Sequence, residues 1–155
     1  MIQVVPTTKV HTVRLGCWMR PADVAECRAL GLGAIEAAYE SWKASDYCST
    51  LLVGGEVAAV GGLVLDEGET ALGARRAQAW LLTSKLVDAY PMALHRTAKA
   101  WLAQAEQKAG VLWNHVDARY ESSLRWLARL GFVVHPARPH GPLELPFHLV
   151  TRESR

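Results

Sequence analysis

Apolar positions recur along this chain in two rhythms, and the switches between them mark a series of short elements. "VHTVRL", Val10 to Leu15, alternates enough to predict a strand, and Pro21 sits where a first helical residue is favoured, ahead of "ADVAECRAL". Gly31 and Gly33 end that helix. A second helical stretch carries Ile35, Ala38, Tyr39 and Trp42 on one face, and Cys48 to Val53 then reads as extended. Gly54-Gly55 between "STLLV" and "EVAAVGGLVL" predicts a β-hairpin, followed by the polar connector "DEGETALGARR" and a third antiparallel strand, "AQAWLLT".

The longest helical stripe begins after Pro91, with Leu94, Ala98, Trp101, Leu102, Ala105 and Ala109 on one side and Gly110 to close it. "GVLWNHVDA" is a near-continuous apolar run of strand length, as expected for a strand covered on both faces. In "DARYESSLRWLARLGFVV", Asp117 is placed to cap a helix whose apolar positions are Leu124, Leu127 and Ala128, with Glu121 and Arg125 paired on the wet side. Gly131 stops that helix and Phe132 to Val134 begins a strand. "HPARPHGPLELPF" crowds four prolines together, which predicts an irregular loop before a last strand, Phe147 to Thr151.

The resulting order is strand, helix, helix, three strands, helix, strand, helix, strand, loop, strand. It predicts one domain over 1–155, of mixed α/β class, with a single sheet of six or seven strands and helices on both faces. "AQAWLLT" and "GVLWNHVDA" are expected to be parallel neighbours, joined by a right-handed crossover through the long helix.

Composition narrows the function classes. The chain has 155 residues, half of them apolar, 21% charged, and a formal net charge of +2, with no basic stripe to suit a nucleic acid. Cys17, Cys27 and Cys48 lack paired metal spacing, and "MIQVVPTTKV" lacks the apolar core of a secretion signal, so a reducing, cytoplasmic setting is expected. No apolar run nears the roughly 18 residues of a membrane span. His135, His140 and His148 match no ligand pattern, so no metal is expected, and the six tryptophans are read as core.

"VLWNHVDARYESSLRWLARLGFVV" resembles the C-terminal joint of the Gcn5-related N-acetyltransferase (GNAT) superfamily, which often shows Asn-x-x-(Ala/Ser) and then an apolar helix ending in Gly-Phe. The likeness extends over nearly the whole chain in the order of its elements. Within the superfamily the stretch looks most like GNAT-like proteins of tailed phages, including small internal virion proteins. The resemblance implies that "AQAWLLT" and "GVLWNHVDA" splay to make a slot for the pantetheine arm of acetyl-coenzyme A, walled by the helix Ala118 to Leu130. It implies acyl transfer by direct attack of a small-molecule or protein amine, with the N–H groups of Leu82, Thr83 and Ser84 on the thioester carbonyl. Two other readings stand beside it: a phage virion or assembly protein without catalysis, resident in the host cytoplasm or the virion and contacting virion proteins, and a non-catalytic acyl-coenzyme A-binding module.

The chain departs from the superfamily pattern in two places. The loop expected to receive the pyrophosphate, "SKLVDAYPMALHR", has no glycine, which leaves the Lys85 and Arg96 side chains, with His95, as its donors. The position that often holds a proton-donating Tyr is Leu127, and Tyr120, at the superfamily's Asn position, is the remaining candidate acid. For a base, Glu67 and Glu69 in the connector and His115 are candidates. Asn114 and His115 point to opposite faces of their strand, and Asn114 is preferred for the slot. Solvated connector carboxylates and a structural, hydrogen-bonded Asn114 are the competing readings.

Overall fold

The computed structural model describes residues 1–68 and 73–154. Seven strands, β1 (Ile2–Pro6), β2 (Tyr47–Val53), β3 (Glu56–Leu65), β4 (Arg76–Thr83), β5 (Val111–Asp117), β6 (Val133–His140) and β7 (Leu145–Glu153), form one sheet in the order β1-β2-β3-β4-β5-β7-β6. All neighbours are antiparallel except β4 and β5, which are parallel, as the crossover through the long helix requires. The mixed α/β class and the single mixed sheet match the sequence expectation.

Alternation along β4 separates the two faces. Trp80 and Leu82 pack into one core with Leu15, Met19, Cys27, Ala37 and Ala38, from the segment of three helices α1 (Lys9–Cys17), α2 (Pro21–Ala29) and α3 (Ala34–Ala44). Ala77 and Ala79 look the other way, toward Leu102, Ala105 and Leu130, which come from α4 (Pro91–Ala105), α5 (Glu121–Arg129) and the turn that follows. A 3₁₀ turn, Lys85–Asp88, links β4 to α4. Trp80, Trp101 and Trp126 join these cores, whereas Trp18 is exposed.

Three expectations change. "VHTVRL" is not a strand but most of α1, capped by Thr8, whose hydroxyl accepts the His11 amide while the His11 ring accepts the Thr8 amide. Its apolar Val10 and Val13 face solvent and Thr12 and Leu15 are buried, so the apparent alternation is accidental. The first strand is instead "IQVVP", an edge strand attached to β2 by backbone pairing with little burial of its side chains.

Asp117 does not cap α5, which starts only at Glu121 after Tyr120; its carboxylate accepts the Arg119 amide at 2.9 Å and the Arg119 guanidinium at 2.7 Å instead. The proline-rich segment is not irregular either. β6 runs to His140 through Pro136 and Pro139, which the sheet tolerates because β6 is an edge strand with no partner on its outer side.

Among the described residues no helix is long and apolar enough to cross a membrane, and no group of three or more His, Cys, Asp or Glu is placed to hold a metal ion.

Candidate active site

β4 and β5 pair over only three positions, Arg76 with Val111, Ala77 with Leu112 and Gln78 with Trp113, and then part. Asn114 stands where they separate. In a continued parallel ladder the His115 amide would donate to Ala79; here it donates at 2.8 Å to the Oδ1 of Asn114, which also accepts Gln78 Nε2 at 3.2 Å. The fork is thus built by a side chain that ends the ladder while satisfying the amide it frees.

Helix α2 closes the wide end of the fork with two carboxylates one turn apart. Asp23 Oδ2 accepts the Thr83 amide at 2.7 Å and the Thr83 hydroxyl at 2.5 Å, on the β4 arm. Glu26 Oε2 accepts the Asp117 amide at 3.0 Å, on the β5 arm. Tyr120 lies beside Asp23, close enough for the two side chains to act on each other electrostatically. Pro21 and the Arg20 amide, which donates to the Thr83 carbonyl at 3.0 Å, start the helix at the height where its first turn meets the β4 arm and its second the β5 arm.

Burial and crowding by like charge set the protonation of this group. Burial pushes Asp23 above the usual carboxylate range, against the pull of its Thr83 bonds. Burial, with the charges of Asp23 and Asp117 nearby, pushes Glu26 up to about 7. Asp117 goes the other way, held down by the Arg119 guanidinium. Tyr120 is pushed up by burial and by the Asp23 charge.

Along β4, the Ser84 amide donates to the Ala58 carbonyl at 2.9 Å, so Ser84 and, two residues back, Leu82 direct their backbone groups to β3. The Thr83 amide is held by Asp23. The three amides expected to meet a thioester carbonyl are therefore already engaged, and the Leu81 amide is the one that faces the open slot.

A cavity of about 690 Å³ occupies the fork and continues beneath α4, with Leu81, Thr83, Asn114, Tyr120, Arg96 and Leu127 among its walls. Of the residues singled out in the sequence, Asn114, Tyr120, Leu127 and Arg96 meet here. Lys85 does not: it is exposed, and its amide is tied to the Trp18 carbonyl at 3.0 Å on the α1 side. Glu67 is exposed in the connector ahead of β4, at the opposite end of that strand from the open fork. Glu69 lies outside the described residues. His115 faces away from the cavity and stacks on His140 at 3.8 Å between ring centroids, where burial and His140 lower its pKa.

Asp23 and Glu26 were not legible as site residues from composition. Their signal is positional: Asp23, Glu26, Cys27 and Leu30 fall at i, i+3, i+4 and i+7, so two carboxylates sit inside the apolar stripe of a short helix.

No protein-family model matches the chain, and no curated protein matches it. Solved structures do. An acetyltransferase of the GNAT family from Streptococcus pneumoniae superposes with a TM-score of 0.65 at 13% identity, over 100% of both chains. Ribosomal-protein-alanine N-acetyltransferase from Brucella melitensis gives 0.69 at 10% identity, over 98% of this chain and 99% of that one. Aminoglycoside N(6')acetyltransferase from Legionella pneumophila gives 0.68 at 8% identity, over 98% and 91%. The fold is that of the GNAT acetyltransferases.

Proposed function

We propose that the protein is a coenzyme A thioester-dependent N-acyltransferase that works by direct attack of an amine, with acetyl-coenzyme A as the simplest donor. The observation that carries this reading is the fork itself. It opens at Asn114, exposes the Leu81 amide, and leads to a carboxylate at Glu26 whose pKa of about 7 suits a general base.

The thioester supplies the acyl group. In the proposed arrangement the Leu81 N–H receives its carbonyl oxygen, where negative charge develops as the amine nitrogen bonds to the carbonyl carbon. Glu26 takes the proton from that nitrogen. The C–S bond breaks, and the departing thiolate is protonated from water, because the position of a proton-donating Tyr is Leu127 and burial beside the Asp23 charge makes the Tyr120 phenol a poorer acid. Asn114 acts as a positioning residue that fixes the width of the slot. The acceptor is a small-molecule or protein amine, the acceptor types named for the aminoglycoside and ribosomal-protein enzymes of the same fold.

The slot fits a pantetheine arm better than the phosphate end of the coenzyme. Before α4 there is no glycine, the helix starts at Pro91, and Asp88 is ion-paired with Arg20 at 3.2 Å. Arg96 is the cation we assign to the phosphates. These two features, with Leu127, favour a second reading, a module that binds the acyl-coenzyme A and does not turn it over. The virion or assembly reading has only the resemblance of the C-terminal joint behind it.

The deciding experiment follows thiol release from acetyl-coenzyme A with a panel of primary amines, beside calorimetric binding of the coenzyme. Turnover that falls at least a hundredfold in Glu26→Gln with unchanged coenzyme affinity supports the enzyme. Binding without turnover by any amine supports the module, and no binding of any coenzyme A thioester overturns both.

A further inference from the structure

The cavity does not stop at the fork. It passes under α4 across the face of the sheet, where one would expect large side chains to fill the space between helix and strands. The strand registers place Leu51, Ala59 and Thr83 in one row and Ser49, Gly61 and Leu81 in the next, so the centre of each row is a small residue. From the helix side Ala98 faces them, between Leu94 and Leu102. Ala59 is buried in a cluster with Leu51, Val87 and Leu94, so the opening lies over the second row, where Gly61 below and Ala98 above leave it room. Gly61 could carry a Cβ only at 3.3 Å from the Trp80 carbonyl and 3.4 Å from Leu81, so the floor is kept low there.

The channel is directional. It starts at the Leu81 amide, where the acyl carbonyl would sit, and reaches Val4 on β1, which is three strand spacings from β4, or roughly 14 Å. A second cavity of about 400 Å³ continues it there, sharing Val4, Ser49, Trp101 and Gln104 with the first. The lining under α4 is mostly aliphatic and aromatic, with Ser49, Thr97 and Gln104 as its polar members, and among the described residues no charged side chain belongs to the sheet floor. An acetyl group would leave nearly all of this space empty.

We propose that the channel beneath α4 is a binding site for an unbranched acyl chain of medium length, octanoyl to dodecanoyl, extending from the thioester. This inference rests on the acyltransferase reading and specifies its donor. A long chain laid under the helix removes apolar surface from water on both sides, a gain that acetyl cannot make.

The test measures binding to the full chain by calorimetry, for acetyl-, octanoyl- and dodecanoyl-coenzyme A below their micelle concentrations, and separately for sodium dodecanoate. Affinity should rise at least tenfold from acetyl to dodecanoyl. Ser49→Leu from the floor and Ala98→Leu from the roof should each abolish that gain while leaving acetyl-coenzyme A affinity within about twofold. Because the two substitutions act from opposite walls, either one suffices if the other fails to fold by circular dichroism. Equal affinity for acetyl and dodecanoyl donors overturns the chain site and leaves the transferase standing. Dodecanoate binding that both variants lose, with no affinity for any coenzyme A thioester, supports the chain site and removes the transferase. Absence of all binding, or a chain-length gain that both folded variants keep, overturns the proposal.

Discussion

The Oε2 of Glu26 accepts the backbone N–H of Asp117 at 3.0 Å, and this contact joins helix α2 to the outer arm of the fork across 91 residues of sequence. A carboxylate held there in low dielectric, beside Asp23 and Asp117, is protonated over much of the range in which a solvated Glu is charged. Acting as base it must lose that proton. With a weakly basic amine acceptor, already neutral well below pH 7, the rate of acyl transfer at subsaturating amine should therefore rise through pH 7 and level above it. Glu26→Gln keeps an acceptor for the Asp117 amide, so it should remove this rising limb along with most of the rate. A pH profile of kcat/KM with a rising limb still centred near 7 in the variant would assign the base elsewhere.

The same ionisation bears on stability. Glu26 has an ordinary pKa of 4.5 and a folded one of about 7, so its contribution is fully present below 4.5 and is lost as pH rises to about 7. The full change is on the order of 3 kcal/mol, and Asp23, also raised, acts in the same direction. Asp117, which is lowered, acts oppositely, its contribution being lost only as pH falls below 3.8. Thermal melts should show wild type losing stability between pH 4.5 and 7 relative to Glu26→Gln, with the variant the more stable at pH 8. Parallel curves for the two proteins would contradict the buried, raised carboxylate.

Asp23→Ala leaves the Thr83 amide and hydroxyl without their acceptor in a buried place. The expected loss is about 2–4 kcal/mol by chemical denaturation, with Asp23→Asn recovering part of it through its remaining carbonyl oxygen. A near-neutral Ala variant would mean that water replaces the carboxylate without cost.

Most of this architecture is legible in the chain because periodicity and turn residues agree. Gly54-Gly55 and the run after Pro91 place β2, β3 and α4, and the crossover rule makes β4 and β5 parallel. What failed has identifiable causes. β1 buries too little to show a pattern, α1 presents two valines to solvent, and β6 passes through prolines that only an edge position permits. Of the candidate site, Asn114 sits on a strand whose place was foreseen, whereas Tyr120, expected inside a helix from Ala118, stands just before α5. Asp23 and Glu26 acquire meaning only when α2 is laid across two strands about sixty and ninety residues away, at Thr83 and Asp117.

Gly16 tests the packing of the helical segment that carries Asp23 and Glu26. A Cβ there would lie 2.4 Å from Ile35 Cγ1 and 2.6 Å from the Ile35 Cα, so α1 and α3 approach with no room for a methyl group. Part of the obstacle is backbone, which cannot rotate away. Gly16→Ala should cost about 1–3 kcal/mol despite its better helix propensity, whereas Gly33→Ala, which meets nothing within 4 Å, should be close to neutral. A stabilised Gly16→Ala protein would show that the two helices separate readily.

Arg96 and Lys85 separate the two ends of the glycine-free loop. Arg96 borders the cavity from α4, while Lys85 is anchored on the α1 side. Arg96→Ala should weaken coenzyme A binding about fivefold or more, as loss of a charge-assisted contact to phosphate would, with the effect shrinking in high salt. Lys85→Ala should leave it unchanged. Equal calorimetric effects of the two substitutions would place the phosphates over the 3₁₀ turn rather than over α4.

Leu127 and Tyr120 decide how the thiolate leaves. Both line the cavity, but Leu127 has no proton to give and Tyr120 stands beside Asp23, with a pKa raised by burial and by that charge. A phenol so placed is a weaker acid than one in water, so Tyr120→Phe should lower kcat less than about tenfold, below the roughly hundredfold loss expected when a working general acid is removed. Its main effect should fall on stability, through the half-buried place of the hydroxyl beside Asp23. Leu127→Tyr supplies the missing donor one and a half turns into α5, on the wall of the slot. Turnover of a good amine acceptor should rise, provided that the larger ring is accommodated in the cavity and the fold, checked by circular dichroism, is kept. A hundredfold loss in Tyr120→Phe with unchanged melting temperature would instead make Tyr120 the acid, and would require its hydroxyl to reach the sulfur during the reaction.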